Sequence, residues 1–182
     1  LIQNHDSVKN VTKEILDLKV LEKRLDTHEM IEDAEVYLTI NGDLGAKITQ
    51  RKPIARAYGN ESYYIDKNGK KMPLSKNYSA RVPFVKNIKT ENIIEIYPLL
   101  AKIEEDEFLK EHITLIHRNT KGEYVLEMRL YDFKILFGQI KSIERKTNNL
   151  KAFYKKALLD HQLDAYNWVN LKYDNQVVCT KK

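Results

Sequence analysis

The sequence predicts an α+β protein in which a small unit of helices and strands precedes a larger mixed sheet packed with helices. Three patterns carry this prediction. Apolar residues recur at helical spacing over residues 8–25 and again over 140–159. From residue 34 the period changes to two, which is the pattern of strands buried on one face. Turn-forming dipeptides then separate several short strand-like runs, as an antiparallel arrangement requires.

The first unit is predicted to hold two short helices on a sheet of about three strands. Asp17 is placed to cap the second helix, because its carboxylate can accept the free N–H groups of the first turn. Apolar and polar residues alternate over Ala34–Ile40, and Asn41-Gly42 favours a tight hairpin turn. A third strand is expected at Ile54–Tyr58. It follows Pro53, which cannot donate a hydrogen bond to a ladder and therefore marks a strand start, a bulge or an edge.

The second part is predicted to be a mixed or antiparallel sheet with helices packed against it, and the two domains are expected at 1–73 and 74–182. A hairpin turn is predicted at Asn119–Gly122, and the last strand at Val177–Cys179. The other strands are expected near Ala80–Val85, Ile113–His117, Tyr124–Leu130, Phe133–Phe137 and Val169–Tyr173. The helices are expected near Thr90–Ala101, Glu104–Lys110 and Ile140–Leu159.

Composition excludes several classes of protein. The 182 residues are 42% hydrophobic, enough for one or two domains with real cores. Lys and Arg total 31 against 26 acidic residues, and this excess of +5 is spread along the chain instead of forming a basic tail. The single cysteine, Cys179, cannot form an internal disulfide. No apolar run approaches the ~20 residues of a membrane span. The first residues resemble no signal peptide and include no initiator Met, which indicates a fragment.

No enzyme chemistry is predicted, and no catalytic, metal-binding or cofactor-binding residue is proposed. His112 and His117 are five positions apart in a predicted strand, so they face opposite sides and cannot share a metal. The glycines form no phosphate-binding loop. Cys179 lies in an apolar strand, where a buried thiol is expected to be inert.

A basic nucleic-acid-binding module stays open as an alternative from the residues alone. Arg51, Lys52 and Arg56 precede several tyrosines, and basic side chains interleaved with aromatic ones suit a nucleic acid. Against this, the sequence has none of the common nucleic-acid-binding motifs, so only the charge supports the alternative.

Four segments stand out when they are read in order: Ala34–Tyr37, Gln50–Ala55, Tyr64–Asp66 and Gly69–Arg81. They resemble the periplasmic part of the FtsQ/DivIB family of bacterial cell-division proteins, in its Bacteroidetes-like form. The resemblance continues through Val169–Tyr173 to the C-terminus and so covers nearly the whole chain. It identifies the first unit with a POTRA domain and the rest with the C-terminal domain of the family.

The resemblance implies a scaffold of the divisome, the complex that carries out septation. Such a protein would be anchored in the inner membrane by a single segment that this chain lacks, would lie on the periplasmic side, and would catalyse nothing. The implied partners are membrane proteins of the FtsB/DivIC and FtsL types, and no nucleic acid is expected. Another membrane-assembly protein with a POTRA domain remains the second alternative.

The resemblance also implies a partner site at the C-terminal edge, where a partner adds a strand. The open edge of a terminal strand suits this mode of binding. The residues expected there are Lys172, Tyr173, Asn175, Gln176, Val177, Val178, Cys179 and Thr180. Tyr173 would pack against the partner and Lys172 would meet an acidic residue, although many members carry Arg at this position. In the competing interpretation, Tyr173 and Val177 only pack the core.

The first unit is expected to contact other division proteins through a surface near Arg51 and Arg56, again by resemblance. An electrostatic contact with anionic lipid would explain the same basic residues.

Overall fold

The computed structural model describes residues 17–59, 61–75, 77–174 and 176–182. The chain divides between Arg51 and Lys52 into two compact units, called unit 1 and unit 2 below.

Unit 1 consists of one described helix and one hairpin. The helix α1 spans Leu18–Asp26, and the strands β1 (Ile31–Leu38) and β2 (Leu44–Gln50) pair antiparallel. Asp17 caps α1 as predicted, because its Oδ1 accepts hydrogen bonds from the backbone N–H groups of Lys19 at 3.0 Å and Val20 at 3.4 Å. The predicted hairpin turn is confirmed, and its Gly42 has φ 92°, a conformation that glycine adopts without strain. The helix predicted before residue 17 lies outside the described residues.

Unit 2 is built on one nine-stranded mixed sheet. Its strands are β3 (Pro53–Tyr58), β4 (Tyr63–Asp66), β5 (Lys71–Met72), β6 (Phe84–Lys86), β7 (Ile113–Arg118), β8 (Tyr124–Met128), β9 (Lys134–Gly138), β10 (Tyr166–Asn170) and β11 (Val178–Lys181). Their order across the sheet is β11-β10-β9-β8-β7-β6-β3-β4-β5. The pairs β3–β6, β6–β7 and β9–β10 are parallel, and the other pairs are antiparallel.

The helices of unit 2 contribute to one core with this sheet. They are α2 (Ile93–Glu105), α3 (Glu107–His112) and α4 (Ile143–Leu159). A row of residues paired from strand to strand supplies the sheet side of the core: Ala57, Val85, Ile116, Leu126, Ile135 and Val169, each at most 4% exposed. Ile96 and Leu100 of α2 and Leu150 of α4 belong to the same core cluster. The α+β class and the packing of helices on a mixed sheet are therefore as predicted.

The strand expected at Ile54–Tyr58 was predicted to join β1 and β2 in the first domain, but it does not pair with them. It is β3, and it pairs with β4 and β6 in the nine-stranded sheet, whereas β1 and β2 form a sheet of two strands. The boundary predicted after residue 73 thus falls within unit 2. The physical reason is burial: Ile54, Ala55 and Ala57 of β3 join the core of unit 2.

Four other predicted positions are shifted. The strand expected at Ala80–Val85 is confined to β6, and Glu104 and Glu105 end α2 instead of beginning the next helix. The strand expected at Val169–Tyr173 is β10, which begins and ends three residues earlier, so Lys172 and Tyr173 follow it in a loop. His112 closes α3 and stacks on Phe108, with ring centroids 4.4 Å apart, so it does not lie in the strand that carries His117.

The Leu100 side chain tests how much of the stability of unit 2 depends on this core. Leu100 is completely buried, so Leu100→Ala should lower the free energy of unfolding by about 2–5 kcal/mol through lost burial and a residual cavity. Ile94 of the same helix is 85% exposed, and Ile94→Ala should change it by less than about 0.5 kcal/mol. Chemical denaturation of both variants measures the difference, and equal losses would contradict this assignment of the core.

Candidate partner-binding edge

The strand β11 forms one end of the nine-stranded sheet. It pairs antiparallel with β10, and no other strand of the described residues lies beside it. The N–H group of Lys182 donates to the Ala165 carbonyl at 2.9 Å, so Lys182 directs its backbone groups toward β10. Because hydrogen bonding alternates along an antiparallel strand, Val178 and Thr180 direct their backbone groups to β10. Cys179 and Lys181 therefore direct theirs to the open side.

The two faces of this edge differ. Val177 and Cys179 pack against the core on the side of α4, and Cys179 pairs with Val169 at the end of the buried row. A cleft of about 490 Å³ opens there, lined by Ala152, Phe153, Lys156, Tyr166, Val177 and Cys179, among others. Burial raises the pKa of the Cys179 thiol, which keeps it neutral and weakens it as a nucleophile. Val178 and Thr180, on the opposite face, are exposed.

Arg145, near the start of α4, holds the loop between β10 and β11. Its guanidinium donates to the backbone carbonyls of Tyr173 at 2.7 Å and Asp174 at 3.0 Å, and it pairs with the Asp174 carboxylate at 2.7 Å. A planar guanidinium can make these contacts together because its donors point in fixed directions. The position of the loop is therefore set by α4.

Of the residues predicted at this edge, Tyr173 and Val177 have different surroundings. The Tyr173 side chain is 48% exposed and stands outside the core cluster, although its carbonyl is held by Arg145. Val177 is half-buried against the core. Gln176 is exposed and lines the cleft. Asn175 lies outside the described residues.

Lys172 has an acidic partner within the chain. Its Nζ donates to Oε1 of Glu123 at 2.9 Å, and this hydrogen bond from the Lys172 ammonium lowers the pKa of Glu123. The stem of Lys172 passes over Gly138, where a Cβ would lie 2.8 Å from the Lys172 Cγ. Gly138 also has φ 77°, so a side chain there would be strained and would displace Lys172.

Lys146, the neighbour of Arg145, is a lysine at only 2% exposure. Its Nζ donates to the backbone carbonyls of Phe137 and Gln139, both at 2.8 Å, and lies 4.6 Å from the centre of the Phe137 ring. Burial, together with the nearby Arg145 and Lys141 charges, lowers the pKa of Lys146 to about 8. The ammonium thus holds the end of β9, and it has no hydrogen bond to a carboxylate of the residues that the structure describes.

The two residues predicted for the other contact surface lie in different compact units. Arg51 is in unit 1, where its Nε donates to the Ile31 carbonyl at 2.9 Å. Arg56 is in β3 of unit 2, between Tyr64 of β4 and Phe84 of β6.

Comparison of the sequence with known protein families identifies the domain that carries this edge. The model of the family described as FtsQ/DivIB, C-terminal related, matches residues 52–180, which is more than half of the chain. The chain belongs to this FtsQ/DivIB-related family. The resemblance drawn from the sequence is thereby confirmed. No curated protein matches the sequence.

The FtsQ/DivIB family is a non-enzymatic family of division proteins that work within the division complex. The match begins at Lys52, the first residue of unit 2, and ends at Thr180 in β11. Among the helices of the described residues, none is both long and apolar enough to cross a bilayer.

Sequence reasoning missed Arg145, Glu123 and Lys146 at this edge of the FtsQ/DivIB-related domain. Arg145 contacts a carbonyl 28 positions away, and Glu123 contacts a lysine 49 positions away. No local pattern signals contacts over such separations. The one available signal was Lys146, whose position on the apolar face of a predicted helix is unusual for a lysine.

The Lys146 side chain predicts a specific pH dependence of stability. Its pKa is about 8 in the folded state against 10.5 for a free lysine, so between these values the unfolded chain binds more protons. The cost of burying the charge is full below pH 8 and falls as the pH rises toward 10.5. The free energy of unfolding of the wild type, relative to Lys146→Met, should therefore increase across this window by up to about 3 kcal/mol. Urea denaturation at several pH values measures it, and parallel profiles would contradict the assignment.

Proposed function

We propose that this chain is the periplasmic part of an inner-membrane division scaffold, and that a partner of the FtsB/DivIC type adds a strand to β11. A protein of the FtsL type would complete the complex. The observation that carries the proposal is the open side of β11 in a domain that belongs to the FtsQ/DivIB-related family.

Backbone pairing supplies part of the affinity in this proposal. Cys179 and Lys181 present N–H and C=O groups on the open side of β11, and a partner strand can pair with them. The strand β11 is short, with four residues, so only a few hydrogen bonds form. Side chains must add to them for the complex to be stable, because ordering a partner segment costs conformational entropy.

The side chains around β11 determine which partner strand fits. The residue that pairs with Cys179 would extend the buried row and lie beside the cleft of α4, so we expect it to be apolar. Tyr173 offers an exposed ring on a loop that Arg145 already holds, which reduces the entropy lost on binding. Lys156 and Lys181 favour acidic residues in the partner.

Lys172 can bind an acidic partner residue only if it gives up or shares its contact with Glu123. In the free chain its ammonium is bound to Glu123, and a partner carboxylate would have to replace Glu123 or share the ammonium with it. We therefore assign more of the affinity to Tyr173 and the β11 backbone than to Lys172. No observation in the described part of the chain favours the nucleic-acid module or a different membrane-assembly protein.

A proline at position 181 tests strand addition directly. Lys181→Pro removes an N–H group that points to the open side and leaves the N–H of Lys182, which pairs with β10, in place. We expect at least about a tenfold loss of affinity for the soluble coiled-coil part of the FtsB/DivIC-like protein from the same genome, measured by titration calorimetry, because each such bond contributes about 1 kcal/mol and the ring also obstructs the partner strand.

Lys181→Ala is the matched control, since it removes the same charge and keeps the N–H group. It should bind within about threefold of the wild type, as expected for one exposed charge. Circular dichroism checks that both variants keep the fold. If Lys181→Pro is folded and binds as well as Lys181→Ala, the partner does not pair with β11.

Tyr173→Ala tests the aromatic anchor. If Tyr173 packs against the partner, its loss should cost about 2 kcal/mol of binding free energy, or roughly thirtyfold in affinity. Tyr58→Ala is the control, because Tyr58 is 56% exposed on β3, far across the sheet. The same calorimetric titration measures both variants, and full affinity in a folded Tyr173→Ala protein would remove Tyr173 from the site.

A further inference from the structure

Arg56 lies near the opposite end of the sheet from β11, and its guanidinium has neither a hydrogen-bond acceptor nor an ion-pair partner among the described residues. It stands on β3, paired across the strands with Tyr64 on one side and Phe84 on the other. The carbon of its guanidinium lies 6.0 Å from the centre of the Tyr64 ring and 5.8 Å from that of Phe84. Its Nε is buried and has no hydrogen-bond acceptor among the described residues.

The other half-buried arginines of unit 2 are bound within the chain. Arg118 donates from Nε to the Gly122 carbonyl at 3.2 Å and pairs with Glu95 at 3.6 Å. Arg145 donates to two carbonyls and pairs with Asp174. Arg56 has neither a carbonyl nor a carboxylate among the residues the structure describes. Its Nε is closed to a ligand by burial, so an acceptor from outside the chain would have to meet the other N–H groups of the guanidinium.

Arg56 lines a cleft on unit 2. The cleft has a volume of about 390 Å³ and is lined by Arg56, Tyr64, Leu74, Ser75, Asn77, Tyr78 and Ser79. Tyr64 is 2% exposed, and its hydroxyl accepts a hydrogen bond from the Ala80 N–H at 3.0 Å, which holds the loop against β4. The backbone N–H of Arg56 donates to the Pro83 carbonyl at 2.9 Å. The serine hydroxyls and the Asn77 amide add neutral polar groups to the rim.

We propose that this cleft binds a carboxylate side chain of an acidic peptide segment, with Arg56 as its counter-ion. The guanidinium is bordered by two aromatic rings, and a flat carboxylate that meets its edge can accept two parallel hydrogen bonds. The proposal goes beyond strand addition at β11. The two places are six strands apart in one sheet, roughly 30 Å at normal strand spacing, so two partner segments can bind at once.

A peptide is favoured over a lipid headgroup by the form of the cleft. Among the described lining residues Arg56 is the one cation, beside hydroxyl and amide groups, whereas a phosphate-binding surface would need several cations together. Around Arg56, the exposed ring of Tyr78 gives apolar surface for the residues that flank the carboxylate. Serine and asparagine can bond to the peptide backbone.

The test uses the 182-residue chain and the capped peptide acetyl-Gly-Glu-Gly-Glu-Gly-amide as the probe. Amide chemical shifts in nitrogen-15 NMR spectra follow the titration at Ser75, Asn77 and Ser79. We expect saturable shifts that Arg56→Gln weakens by at least about tenfold in affinity, the size of one lost charge-assisted contact. The affinity of Arg56→Lys should lie between those of the wild type and Arg56→Gln, because lysine keeps the charge and loses the planar fork.

Two controls isolate the guanidinium. Arg24→Gln removes the same charge from an exposed position on α1 and should leave the affinity unchanged. The peptide with Gln in place of Glu should bind at least about tenfold more weakly to the wild type, since it lacks the carboxylate. Thermal unfolding confirms that each variant is folded.

Each remaining outcome would overturn the proposal. Equal binding of the Glu and Gln peptides would show that no carboxylate is recognised, and unchanged affinity in a folded Arg56→Gln protein would exclude Arg56. Tighter binding of inorganic phosphate than of the peptide would replace the carboxylate by a phosphate ligand. Loss of binding to phosphatidylglycerol vesicles in Arg56→Gln, without any peptide binding, would assign the cleft to the membrane surface.

Discussion

The crossover through α4 is the constraint on which the open edge depends. Parallel strands cannot be joined by a tight turn, so the chain leaves β9, passes through α4 over the sheet, and returns as β10 beside β9. The first turn of α4 then bonds to two segments of the sheet: Lys146 donates to carbonyls at the end of β9, and Arg145 donates to carbonyls after β10. The position of β11 follows from these contacts and from its pairing with β10.

A second contact fixes the other side of α4. Lys151 pairs with the Asp106 carboxylate at 2.6 Å, at the junction of α2 and α3, and Asp106 also accepts from the Leu109 N–H as the cap of α3. Burial by itself would raise the pKa of Asp106, but the hydrogen bonds from Lys151 and the Leu109 N–H outweigh it, so the net pKa is lowered. The helix that orients the candidate site is thus held at both its sheet side and its helix side.

Features that depend on neighbouring residues could be predicted from the sequence, whereas contacts between residues far apart in the chain could not. The cap at Asp17, the two glycine hairpin turns and the long helix α4 rest on spacing and turn chemistry, and all were predicted correctly. The neighbours of β3 were not, because parallel pairing with β6 depends on burial against helices that come later in the chain. At the candidate edge the last strand was predicted from the apolar run Val177–Cys179, and β11 covers Val178–Lys181. The contact of Lys172 with Glu123 joins residues 49 positions apart and left no local signal.

Two ends of one sheet offer two kinds of recognition. At β11 the available groups are backbone N–H and C=O groups, which are the same in every peptide, so selectivity must come from the cleft of α4 and from Tyr173. At β3 the available group is a side-chain cation between two rings, which selects by charge and geometry before any backbone is paired. Because β3 and β11 share a continuous sheet, the two proposals together place two partner segments at a fixed separation, which is what a scaffold requires.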